Sequence, residues 1–94
     1  MWINYKPTNG KMLRIYLEKN FDNQNIKTIN ITGDFFYFPN EGLEELEHFL
    51  IGKTICSGLG EKIDEFLSNN DHKVLGFKGE DIEKALLTEV FENE

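Results

Sequence analysis

Residues 11–19, KMLRIYLEK, alternate along their length: Leu13, Ile15 and Leu17 fall on one side, and Met12, Arg14, Tyr16 and Glu18 on the other. A period of two belongs to a half-buried strand. Ile26 to Thr32 alternates again, with Ile29 and Ile31 sharing a face with Lys27, against Ile26, Thr28, Asn30 and Thr32. The polar run Asp22-Asn23-Gln24-Asn25 between them reads as a hairpin loop. Trp2 to Lys6 reads as a shorter strand, closed by the turn cluster Pro7-Thr8-Asn9-Gly10. Three antiparallel strands in sequence order make a meander with one apolar face.

Beyond residue 40 the period becomes helical. Asn40 is placed to cap a helix whose first turn holds Glu41, with Leu43, Leu46, Phe49 and Leu50 on one stripe and Gly52 at its end. Ser57 is placed to cap a second helix bearing Leu59, Ile63, Phe66 and Leu67, which stops in Ser68-Asn69-Asn70-Asp71. An apolar connector, Val74-Leu75-Gly76-Phe77, leads to Gly79. The third helix, from Glu80, carries Ile82, Leu86, Leu87, Val90 and Phe91, and its acidic first turn complements the helix dipole. An apolar sheet face needs a cover, and amphipathic helices need something to cover. The expected fold is therefore α+β: a three-stranded antiparallel meander followed by three helices packed on one face, in two layers, as one domain over residues 1–94.

Between sheet and helices lies Gly33-Asp34-Phe35-Phe36-Tyr37-Phe38. Alternate side chains of an extended segment point to opposite faces, so one sheet layer cannot hide all four aromatics. One or two of them belong at an edge or rim. A partner covering a large apolar side chain gains roughly 1.5–3 kcal/mol for each.

Composition narrows the function classes. Seventeen acidic against ten basic residues give a formal charge of −7, a field that disfavours nucleic acid. Aromatics at 13% make a core feasible without staples, and the single cysteine, Cys56, excludes an internal disulfide framework. The N-terminus MWINYKPTNGK has no basic and apolar signal-peptide regions. No apolar run reaches the roughly 18 residues of a membrane span. A soluble, cytoplasmic protein is expected.

A catalytic constellation is hard to find. Gly58-Leu59-Gly60 lacks the further glycines and the lysine of a phosphate loop and reads as a helix start. His48 has no metal-binding partner at helical spacing, and His72, in an Asn/Asp loop, reads as solvent-facing. Cys56 reads as a small buried hydrophobe, with a reactive thiol as the alternative. Asp34 either acts as an acid or base with a raised pKa or, as the plainer reading has it, turns the chain. Met12, Arg14 and Tyr16, on the outer strand face, include residue types enriched at interfaces. The residues alone describe a small binding or accessory module.

The segments Gly10-Lys11-Met12-Leu13-Arg14-Ile15, Ile26-Lys27-Thr28-Ile29-Asn30-Ile31-Thr32-Gly33-Asp34-Phe35-Phe36, Gly42-Leu43-Glu44-Glu45-Leu46-Glu47 and Leu50-Ile51-Gly52 together resemble the C-terminal accessory domain of lipoate–protein ligases. The specific part is the order of a strand, Gly-Asp-Phe-Phe and the helix that follows. Starting at Met1, the chain looks like the small subunit of the two-chain, archaeal-type arrangement. The resemblance implies an ATP-dependent reaction in which lipoate becomes lipoyl-adenylate and the lipoyl group passes to a lysine of a lipoyl domain or a glycine-cleavage carrier protein. It also implies that ATP, magnesium and lipoate sit in a separate catalytic subunit, with no cofactor and no catalytic residue in this chain. The partner-interface candidates are Lys11, Arg14, Tyr16, Phe36 and Phe38, of which Lys11 and Arg14 are expected at the rim of the partner's active site. No nucleic acid or membrane partner is expected.

The layout also resembles the SufE/IscU-like sulfur-acceptor and iron–sulfur scaffold folds. A sulfur acceptor using Cys56 is one alternative, and a non-enzymatic acidic adaptor or homodimer is another.

Overall fold

The fold is that of a computed structural model, which describes residues 1–8, 10–20 and 22–92, the last four by their backbone alone. Strands β1 (Trp2–Tyr5), β2 (Leu13–Lys19) and β3 (Ile26–Gly33) form an antiparallel meander in the order β1-β2-β3. Leu13, Ile15, Leu17, Ile29 and Ile31 project into the core as their alternation requires, and Ile3 joins them from β1. The expected turn before β2 is closed by Gly10 N–H donating to Pro7 O (3.1 Å); Asn9 lies outside the described residues.

One strand departs from its pattern. Strict alternation puts Lys27 inward and Ile26 outward, yet Ile26 is buried and Lys27 exposed. The register explains the exchange: Glu18 faces Thr28 while Lys19 faces Ile26, so Lys27 is an extra residue in a β-bulge. A bulge resets the side-chain phase by one residue, here in favour of the apolar side chain.

A second, two-stranded antiparallel sheet pairs β4 (Phe36–Phe38) with β5 (Lys73–Leu75). β5 falls in what reads from sequence as a connector. Helices α1 (Gly42–Leu50), α2 (Leu59–Asn69) and α3 (Gly79–Glu92) cover the meander from one side: α1 lies on β3, α3 on β1, and α2 on α3. Leu46, Leu50, Leu59, Ile63, Ile82 and Leu86 complete the core. The expected side chains of Val90 and Phe91 lie outside the described residues.

Neither predicted cap forms. The residue before α1 is Glu41, not Asn40, and it makes no side-chain cap; Gly42 N–H donates instead to Pro39 O (2.9 Å). α2 is preceded by Gly58, with φ +99°, in place of Ser57. Its cap comes from another helix: Glu83 Oε1 on α3 accepts from Gly58 N–H (2.9 Å) and Gly60 N–H (2.7 Å). Asp64 on α2 returns the arrangement, Oδ1 accepting from Gly79 N–H at the start of α3 (3.1 Å). Exchanged carboxylates satisfy donors that each helix leaves open at its N-terminus. Glycine at 60 and 79 permits the approach, because a Cβ on Gly79 would overlap the Gly60 carbonyl oxygen.

Candidate functional site

The β4–β5 ribbon has two unlike sides. Phe36 pairs with Leu75, Tyr37 with Val74 and Phe38 with Lys73. Tyr37 is buried and Val74 half-buried, whereas Phe36, Phe38 and Leu75 are 78%, 70% and 72% exposed. Period two therefore places three large apolar side chains and Lys73 on one outward face. Phe35, the other member of the aromatic run, packs edge-on against Phe77 (centroids 4.9 Å apart) and is half-buried. As the run's composition requires, part of it stays outside the core.

The underside is tied down by a polar relay. Tyr37 Oη lies 2.7 Å from His72 Nδ1, and His72 Nε2 lies 3.1 Å from a carboxylate oxygen of Glu45 on α1. A carboxylate only accepts, so Nε2 carries hydrogen; in the neutral ring Nδ1 then accepts from the Tyr37 hydroxyl. Burial, and next the Glu45 charge, push the Tyr37 phenol up to about 12. His72, expected to face solvent, is thus buried, with Phe66 edge-on to its ring (5.4 Å). Its loop folds under the ribbon, a placement set by tertiary packing and invisible in the Asn/Asp context around it.

The outer face of the meander holds a second exposed group. Trp2 and Tyr16 face each other across β1 and β2 with ring centroids 5.3 Å apart, and the Arg14 guanidinium lies 4.9 Å from the Trp2 ring centre. Tyr16 donates to Glu18, whose hydrogen bond first and charge second raise the Tyr16 pKa. Arg14 and Tyr16 thus sit apart from Phe36 and Phe38, on a different sheet. Lys11 belongs with the ribbon: its N–H donates to Gly76 O (2.9 Å), just past β5. Alternation alone could have placed Trp2 on this outer face, opposite the inward Ile3. Leu75, Lys73 and Lys78 needed the β4–β5 pairing.

Beside Leu75 the Pro7–Gly10 turn and the Gly76–Lys78 segment enclose a cleft of ≈ 220 Å³. A larger hollow of ≈ 560 Å³ lies where α2 and α3 begin, among Glu61, Asp64, Glu80 and Glu83. Two of those carboxylates, Asp64 and Glu83, are already engaged as helix caps. Among the described residues no group of three or more His, Cys, Asp and Glu side chains could hold a metal ion. None of the described helices is long and apolar enough to cross a membrane.

Cys56, expected as a buried hydrophobe, is exposed. It sits in the short loop between α1 and α2, where its neighbour Ile55 takes the inward position. Asp34 is exposed at the end of β3; its N–H donates to Met12 O (3.3 Å). Gly33 before it has φ +152°, and a Cβ there would overlap the Met12 carbonyl oxygen. Gly33-Asp34 is a structural turn.

No family model matches the chain. It is 38% identical over 64 residues to lipoate-protein ligase A subunit 2 of Thermoplasma acidophilum, a match covering 68% of this chain. The matched stretch spans 60% of that relative's length. The fold also matches a chain in the solved structure of an archaeal lipoylation system from the same organism, comprising a bi-partite lipoate protein ligase and its E2 lipoyl domain. That match has a TM-score of 0.65 and 32% identity, and covers 92% of both chains.

Proposed function

Because the chain belongs to the family of lipoate–protein ligase subunits, we propose that it is the accessory half of a two-chain ligase. With a separate catalytic chain it supports the ATP-dependent activation of lipoate to lipoyl-adenylate. The lipoyl group then passes to a lysine of a lipoyl domain or glycine-cleavage carrier protein. ATP, magnesium and lipoate are assigned to the catalytic chain, and this chain is assigned neither a cofactor nor a catalytic residue. The observation that carries the reading is a match extending over nearly all of both chains at an identity high enough to mean kinship as well as shared fold.

The contribution we assign to this subunit is positional. Binding energy from docking orders loops of the catalytic chain, and so holds lipoate carboxylate and ATP phosphate in the geometry that adenylation needs. In that scheme the subunit acts on kcat for adenylation. The assay compares lipoyl-adenylate formation and acceptor labelling with each chain alone and both together. Adenylate should form only with both chains, and equal formation by the catalytic chain alone would refute the reading.

One observation favours a second reading. The exposure of Cys56 leaves its sulfur accessible, as a sulfur acceptor requires. Iodoacetamide separates the two: a thiol that reacts far faster than an ordinary cysteine at neutral pH supports the acceptor, and an ordinary rate supports the ligase subunit.

A further inference from the structure

Phe36, Phe38 and Leu75 form a continuous outward face by register, with no described side chain covering them. Around this face stand three lysines. Lys73 shares it as the cross-strand partner of Phe38, Lys78 lines both the cleft that continues from Leu75 and the acidic hollow at the starts of α2 and α3, and Lys11 is hydrogen-bonded through its backbone to Gly76. Among the described residues no lysine forms an ion pair with a carboxylate, so the three ammonium groups stand unpaired there. Asp81 also lines the cleft, but its Oδ2 accepts from Lys78 N–H (2.7 Å). An apolar patch with a cationic rim thus sits on a chain whose formal charge is −7.

We infer that the outer face of the β4–β5 ribbon, with the Leu75 cleft, is where the catalytic chain docks, and that it meets an apolar surface rimmed by carboxylates. The inference rests on the reading of this chain as a ligase subunit and names the surface which that reading leaves open. Charge decides among occupants. A second copy placed across a two-fold axis would bring lysine rim against lysine rim around the same aromatics. An anionic membrane would be attracted by three lysines and repelled by the rest of the molecule. An acidic-rimmed apolar surface satisfies both parts of the patch.

The alternative face on the meander is a poorer anchor. There Arg14 already covers the Trp2 ring, Trp2 packs edge-on against Tyr16, and the Tyr16 hydroxyl is held by Glu18. Trp2 is 54% exposed there, against 70–78% for the three ribbon side chains, and its neighbours Arg14 and Tyr16 are engaged within the chain. Three side chains fall short of the ~800 Å² per partner of a standard interface. The cleft beside Leu75 extends the contact toward the Pro7–Gly10 turn.

The test measures binding of the full-length chain to the purified catalytic chain by calorimetry, with folding of every variant checked by circular dichroism. Phe36→Ser combined with Leu75→Ser should weaken binding by about 100-fold, the scale of losing two central anchors. Lys73→Glu with Lys78→Glu should weaken it about 10-fold and flatten its dependence on salt. Arg14→Ala should change it by less than about 3-fold. Wild-type binding that survives the ribbon substitutions overturns the inference and leaves the subunit reading standing. Failure of the wild-type chain to bind overturns both. Ribbon-dependent self-association, or ribbon-dependent binding to vesicles of phosphatidylglycerol and phosphatidylcholine in place of the catalytic chain, also overturns it.

Discussion

The Tyr37 hydroxyl is buried with one acceptor, His72 Nδ1, so Tyr37→Phe leaves that nitrogen without a partner. The expected loss is about 1–3 kcal/mol of stability near neutral pH, measured by urea unfolding. The loss has a pH window. The folded-state pKa of about 12 lies above the ordinary 10.0, so the folded state favours the protonated phenol. That stabilisation is complete below pH 10 and fades as pH rises toward 12, where wild type and Tyr37→Phe should converge. Glu47 offers a contrast of the same kind. Its Oε2 accepts from Ile31 N–H (2.7 Å), yet desolvation, the largest influence, still raises its pKa. Its charge therefore opposes folding once pH exceeds the folded pKa. Glu47→Gln keeps an acceptor and removes the charge, so it should equal or exceed wild type in stability at pH 7. Glu47→Ala should lose about 1–2 kcal/mol by leaving the Ile31 N–H unpaired.

Helices α2 and α3 are joined at their first turns by exchanged carboxylates and by the meeting of Gly60 with Gly79. Gly79→Ala forces backbone apart where no flexible side chain can yield, and should lower stability by about 1–3 kcal/mol in thermal or urea unfolding. Glu83→Ala should remove about 1–2 kcal/mol by uncapping α2. Neither cap was legible in the sequence, because capping rules look to the residue beside a helix and Glu83 lies 25 positions from Gly58. β2 and β3 were legible because their alternation is strict over most of their length. The bulge at Lys27 escaped because one inserted residue resets the phase. β5 escaped because three residues show no period, and without it the outward direction of Leu75 and Lys73 could not be read. Phe36 and Phe38 were legible as surface candidates for the reason that four consecutive aromatics cannot all face inward.

At the scale of the molecule, charge and patch act together. The sequence pI is about 4.8, so near that pH the repulsion that keeps copies apart vanishes while the ribbon's aromatics stay exposed. Light scattering should rise near pH 4.8, and less so for Phe36→Ser with Phe38→Ser. The ribbon also has a consequence for how the molecule comes apart. Its two strands are distant in sequence, the Tyr37–His72 bond alone closing a span of 35 residues that contains α1 and α2. It is a latch: opening it frees the ends of everything threaded between. Whatever grips its outer face must hold both strands at once, and by mass action it resists the unfolding of the helices beneath. The melting temperature of this chain should therefore climb with partner concentration, and helices the partner never touches should exchange their amide hydrogens more slowly.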